Sequence, residues 1–178
     1  MRFQKLIPHF IIVAIFIAIS VIYCYPVLKG EKLLPADTYH WISVSKESRD
    51  YFLKTGENAF WTNSLFSGMP TAQLDLHPHN NWYLHLNSFI QGYTHGNPVN
   101  PIFFFLISMV SFYLLMLSLR VNKWIGAAAA IAFAFSSYLP IIINAGHGTK
   151  MMDIALMPGV FAGVILAYRG KYLQGAAL

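Results

Sequence analysis

The sequence predicts an all-α integral membrane protein, a polytopic helical bundle with a partly helical extracytoplasmic first loop. Three observations carry this. Charged residues make up 11% of the chain, against about 25% in soluble domains. Hydrophobic residues reach 56% and aromatics 16%, with a mean hydropathy of +0.50, which is hard to place in a water-soluble fold. Most of the few charges lie between residues 29 and 57, so the long apolar runs are nearly free of them.

The formal charge of +5 does not point to nucleic acid, and no nucleic-acid partner is expected. The twelve basic residues are scattered, with no Lys/Arg cluster and no aromatic-basic interleaving. Cys24 is the single cysteine, which excludes an intrachain disulfide. No small residues precede it, so a lipoprotein reading is poor.

The first span is predicted over residues 6–28, LIPHFIIVAIFIAISVIYCYPVL, long enough for the ~20 residues a membrane helix needs. Pro8 and His9 are expected in its first turn, where proline is tolerated. No A-x-A-like site follows, and Tyr23 to Pro26 is bulky, so the run reads as an uncleaved anchor. The second span is predicted over 102–119, opened by Pro101, the third over 124–143 and the fourth over 154–168. Gly159 and Gly163 in the fourth have the spacing that lets helices approach closely. Ala127 to Ala130 offer a thin face in the third.

Basic residues in short flanks set orientation. Arg2 and Lys5 precede span one, Arg120 and Lys123 join spans two and three, and Arg169 and Lys171 follow span four. All three sites fall on one side if every run spans. The expectation is a multi-pass protein of the bacterial cytoplasmic (inner) membrane with a cytoplasmic N-terminus and residues 29–101 outside. Lys150 is then the one exception to the charge rule.

A loop of about 70 residues without structure is uncommon, so a small folded cap is expected over 29–101. Residues 37–54 read as a helix that Asp37 could cap, with Gly56 as its stop. WTNSLFSGMP, 61–70, reads as a turn, and 80–91 as a second, interfacial helix. His77, His79 and His85 match no defensible zinc spacing and read as solvated side chains.

Residues 144–150, NAGHGTK, lie between two apolar runs on the outer side. One reading is a glycine turn with a snorkelling lysine. The other is an anion site in which Gly146 and Gly148 bare backbone N–H groups, with His147, Thr149 and Lys150 adding donors, charge and a positive helix end. The G-x-x-x-x-G-K spacing of a P-loop is absent. Asp153 is the only acid in or beside spans two to four, a candidate by position or simply a partner for Lys150.

Four segments point to a family: LPAD (34–37), ENAFWTNSLFSGMP (57–70), AFSSYLPIIINAGHGTK (134–150) and ALMPGVFAGVILAYRGKY (155–172). Together they resemble the N-terminal part of the YfhO-like bacterial membrane proteins, Bacteroidetes type. WTNSLFSGMP and AGHGTK with the following Met-Pro are the specific parts, and the family usually has Asn where Gly148 stands. The resemblance implies a helical bundle of the GT-C type. It implies a glycosyltransferase using a polyprenyl-phosphate-linked sugar donor on the outer face of the membrane, with an envelope polymer or lipid as acceptor. Its cofactor is left unknown, a divalent metal being compatible. Relatives are several times longer, so the chain is expected to be an N-terminal fragment.

Carried onto this chain, the resemblance makes Asp37 the catalytic acidic residue early in the first outer loop. As a base it would take a proton from the acceptor hydroxyl. Gly146, His147, Gly148, Thr149 and Lys150 would bind the donor's phosphate as it leaves. The alternative is a transporter or flippase-like component without sugar-transfer chemistry. Polar residues at mid-depth would favour it, and only Ser108, Ser111, Ser136 and Ser137 qualify.

Overall fold

The computed structural model describes residues 2–31, 36–74 and 101–178. The expected helix at 80–91 and His77, His79 and His85 lie outside them. The protein is a helical bundle with four helices long and apolar enough to cross a membrane, as a multi-pass membrane protein requires.

The first apolar run forms α1 (Arg2–Tyr23). It starts earlier than expected, so Pro8 lies inside the helix rather than in its first turn. It also stops earlier. Pro26 lacks the N–H that would continue the ladder and its ring would crowd the carbonyl four residues back, so the chain breaks at Cys24 and resumes as α2 (Tyr25–Leu28).

In the extramembrane part, the single helix expected over 37–54 is two, α3 (Ala36–Val44) and α4 (Lys46–Thr55). At the break between them the Arg49 guanidinium donates to the Ile42 carbonyl at 3.2 Å. Gly56 closes α4 in the left-handed conformation, donating to Phe52 O, as expected of a C-terminal stop. The WTNSLFSGMP turn is a hairpin: β1 (Trp61–Thr62) pairs antiparallel with β2 (Met69–Pro70). Phe66, Ser67 and Gly68 all have positive φ. Only glycine fits the last of these, because a Cβ there would lie 2.9 Å from the Trp61 ring.

The second run is α5 (Pro101–Ser118), the centre of the bundle. Phe104, Phe105, Met109 and Tyr113 are buried on it, and α1 packs Ile12 and Phe16 into the same core. The third run, expected as one helix, is broken. Helix α6 (Lys123–Ala134) and α7 (Tyr138–Ala145) are separated at residues 135–137. Pro140 cannot donate to the Ser136 carbonyl, and Leu139 takes that carbonyl at 3.1 Å instead. Phe135 at the break stacks on Phe105, their centroids 4.9 Å apart, and Tyr23 meets both rings edge-on.

The fourth run is α8 (Gly148–Tyr168), beginning six residues before the expected start, and α9 (Tyr172–Ala176) folds back along it. Pro158 interrupts the ladder of α8, and the neighbouring helix repairs it. The Ser111 hydroxyl of α5 accepts the Gly159 N–H at 2.7 Å and lies 3.4 Å from the Leu156 carbonyl, as serines do where proline sits in a membrane helix. Both small residues of the G-x-x-x-G are used, on different partners. Gly159 meets Ser111, and Gly163 meets the backbone of Gly175 in α9.

Candidate functional site at the mouth of the bundle

The ends of α1, α5, α7 and α8 meet at one end of the bundle, and the two halves of the predicted site meet there too. Asp37 lies in the first turn of α3. It is therefore inside the helix, where an acid suits the positive helix end, and is not the cap. Its Oδ2 lies 3.2 Å from His147 Nε2. Both side chains are about half exposed, and they are separated by more than a hundred residues of sequence. Among the described residues this is the one ion pair. An imidazolium makes it a charge pair.

The glycines do not bare their amides, as the anion reading expected. Gly146 is left-handed, with φ 99°, and ends α7 by donating to Ile143 O at 3.1 Å. His147 N–H takes Ile142 O at 3.2 Å and Gly148 N–H takes Gly146 O at 3.0 Å. A left-handed C-terminal residue consumes amides to satisfy helix-end carbonyls. A free donor lies further on. Gly148, Thr149 and Lys150 form the first turn of α8, and the Lys150 amide donates to no described residue. This is the positive end of a 21-residue helix, where backbone N–H groups are left without intrahelical partners.

Lys150 is exposed and makes no ion pair with Asp153, which is also exposed. A cation in the first turn opposes the helix dipole, so Lys150 is not there to stabilise α8. The structure thus brings Asp37 and His147 into contact and places Lys150 at the same helix start, touching neither.

Beside this pair an apolar cavity of about 270 Å3 opens between α1, α2, α5 and α7, lined by Tyr23, Val27, Phe105, Pro140, Ile143 and Asn144 among others. Asn144 is three residues from His147. The sequence reading missed this cavity. Pro26, Pro101 and Pro140, all at the same end of their runs, were the signal.

Sequence reasoning also passed over Glu47. Its Oε2 accepts the Thr62 hydroxyl, the Asn63 N–H at 3.1 Å and the Ser64 N–H at 3.0 Å. The Thr62 and Ser64 hydrogen bonds hold the Glu47 pKa below the usual carboxylate range. One acid thus ties the hairpin to α4. At the far end of the bundle, His9 Nδ1 and the Tyr113 hydroxyl are 2.7 Å apart.

Among the described residues no three His, Cys, Asp or Glu side chains are grouped as metal ligands. No protein-family model matches the chain, and no curated protein or solved structure matches it.

Proposed function

We propose that this protein is a GT-C-type glycosyltransferase of the YfhO-like family. It would take a sugar from a polyprenyl-phosphate carrier at the outer face of the bacterial cytoplasmic membrane and pass it to an envelope polymer or lipid. The observation that carries the reading is the contact of Asp37 with His147 at the bundle mouth. An acid, an imidazole and the amino end of α8 with Lys150 gather beside an apolar cavity. In this reading Asp37 takes the proton of the acceptor hydroxyl as the acceptor oxygen bonds to the anomeric carbon. The bond from that carbon to the phosphate oxygen breaks, and polyprenyl phosphate leaves with the electron pair. The ammonium and backbone N–H of Lys150 stabilise the departing phosphate, and the cavity takes the first isoprene units of the carrier.

The test is transfer from radiolabelled polyprenyl-phosphate hexoses by the full chain in proteoliposomes. Asp37→Asn is expected to keep normal abundance, because a half-exposed pair contributes only about 0–1 kcal/mol. It is expected to lose ~10²–10⁴ of the rate, the usual contribution of a general base. Lys150→Gln should weaken donor binding, and Lys150→Arg should restore it only in part. Unaltered transfer in Asp37→Asn would end the reading.

One observation favours a second reading, a transporter or flippase-like component. The break in the third span leaves Ser136 and Ser137 exposed at its turn, and broken spans line substrate paths in transporters. Movement of the labelled lipid between leaflets without sugar transfer would select it.

A further inference from the structure

The extramembrane part carries a recess that the chemistry above does not use. It has a volume of about 510 Å3, within the roughly 300–1,000 Å3 of small-molecule sites. Lys46, Glu47, Asp50, Tyr51 and Lys54 line it from α4, and Ser64 lines it from the hairpin. Helical spacing puts the five α4 residues on one face.

Residues four apart on a helix, such as Lys46 with Asp50 and Asp50 with Lys54, commonly pair. Here none of the four charged side chains is in an ion pair among the described residues. Glu47 is held against the hairpin through Oε2. The recess therefore presents a carboxylate fixed by the hairpin, a second carboxylate, two ammonium groups and an exposed phenol ring.

This lining narrows the ligand. Two carboxylates and two ammonium groups leave no net charge, so the recess favours neither a phosphate nor a metal cation. Its charged wall does not suit an apolar chain. A neutral ligand dense in hydroxyls fits all the groups at once. Its hydroxyls donate to Glu47 and Asp50 and accept from Lys46 and Lys54, while a ring face lies on Tyr51. We propose that this recess binds a neutral saccharide and serves as the docking site of the acceptor chain, the second clause resting on the transferase reading above.

The experiment is calorimetric titration of the full chain in nanodiscs with cellotetraose, maltotetraose and mannotetraose. At least one is expected to bind with a Kd on the order of 1 mM. Tyr51→Ala and Asp50→Asn, which break no contact that holds the cap, should each weaken that binding about tenfold or more. Asp37→Asn should leave it unchanged, and inorganic phosphate should not compete. The proposal is overturned if none of the three sugars binds, if both variants bind as the parent does, or if phosphate displaces the sugar. Saccharide binding that obeys the variants, without any sugar transfer, removes the acceptor role and the transferase reading but keeps the binding site. Transfer that is unchanged in both variants removes the acceptor role of the recess and keeps the transferase.

Discussion

Replacing Gly163 with alanine sets two effects against each other. Alanine is the better helix former by about 1 kcal/mol, and in an isolated helix Gly163→Ala would stabilise. In this fold the added Cβ lies 2.7 Å from the Gly175 carbonyl oxygen, about 0.7 Å inside the edge of ordinary contact. The obstacle is backbone, so no rotamer change relieves it. The reverse contact is as tight, since a Cβ on Gly175 would lie 2.6 Å from the Gly163 carbonyl oxygen. Helix α9 must therefore shift off α8. Overpacking typically costs about 1–3 kcal/mol, and a clash with rigid backbone belongs in the upper half of that range. The net loss is about 1–2 kcal/mol, or a fall of roughly 2–8 °C in Tm for a chain of this size. Thermal unfolding of the purified protein in detergent, followed by circular dichroism, measures it. Gly159→Ala is the comparison. Its Cβ would lie 3.1 Å from the Ser111 Oγ, a side-chain atom that can yield, so the loss should be smaller. A Tm for Gly163→Ala equal to or above the parent's would refute the backbone-on-backbone packing of α8 and α9.

Acid should loosen the hairpin from α4. The folded pKa of Glu47 is depressed, so its contribution is present above the ordinary carboxylate value of about 4.3 and is lost as pH falls through the lower folded value. The protection factors of the amides at residues 61–70, corrected for the intrinsic exchange rate at each pH, should fall on acidification below pH ~4 in the parent. In Glu47→Gln they should already be low at neutral pH, with little further change. Equal protection in the two proteins at neutral pH would count against the tie. For orientation, Ser64→Cys should react with an impermeant thiol reagent in intact cells whose outer membrane is permeabilised, while Asn122→Cys should not. The opposite pattern would invert the topology.

The four spans were legible because apolar runs near 20 residues have few other uses. The breaks within them were legible only in principle. A hydropathy window averages over Pro26 and Pro140, so the first and third runs read as continuous, although each proline removes a donor at a definable carbonyl. The sequence reading had Asp37 as a catalytic base or a helix cap and His147 and Lys150 on the leaving phosphate, each from its own segment and with no contact between them. That Asp37 and His147 touch depends on where α3 sits over α7 and α8, which no local pattern encodes. Gly146 and Gly148 were misread for a related reason. Glycine after a helix usually turns the chain by spending amides on the helix end, and this conflicts with leaving them free. Glu47 had a faint signal in Thr62-Asn63-Ser64, a turn rich in donors that wants one acceptor, but nothing in the sequence said which acid would supply it.

The broken third span bears on how the protein enters a bilayer. Helix α6 has 12 residues and α7 has 8, lengths of about 18 Å and 12 Å at 1.5 Å per residue. Neither reaches across a hydrocarbon core of about 30 Å. The upper piece is also joined to α8 by only Gly146 and His147. The third run has the length to enter and cross a bilayer only as the two pieces together, over residues 123–145. The pieces also lie on different partners, α6 on α5 and α7 on the start of α8. Because His147 stands in the two-residue link after α7, its contact with Asp37 fastens α3 to the joint between the third and fourth runs.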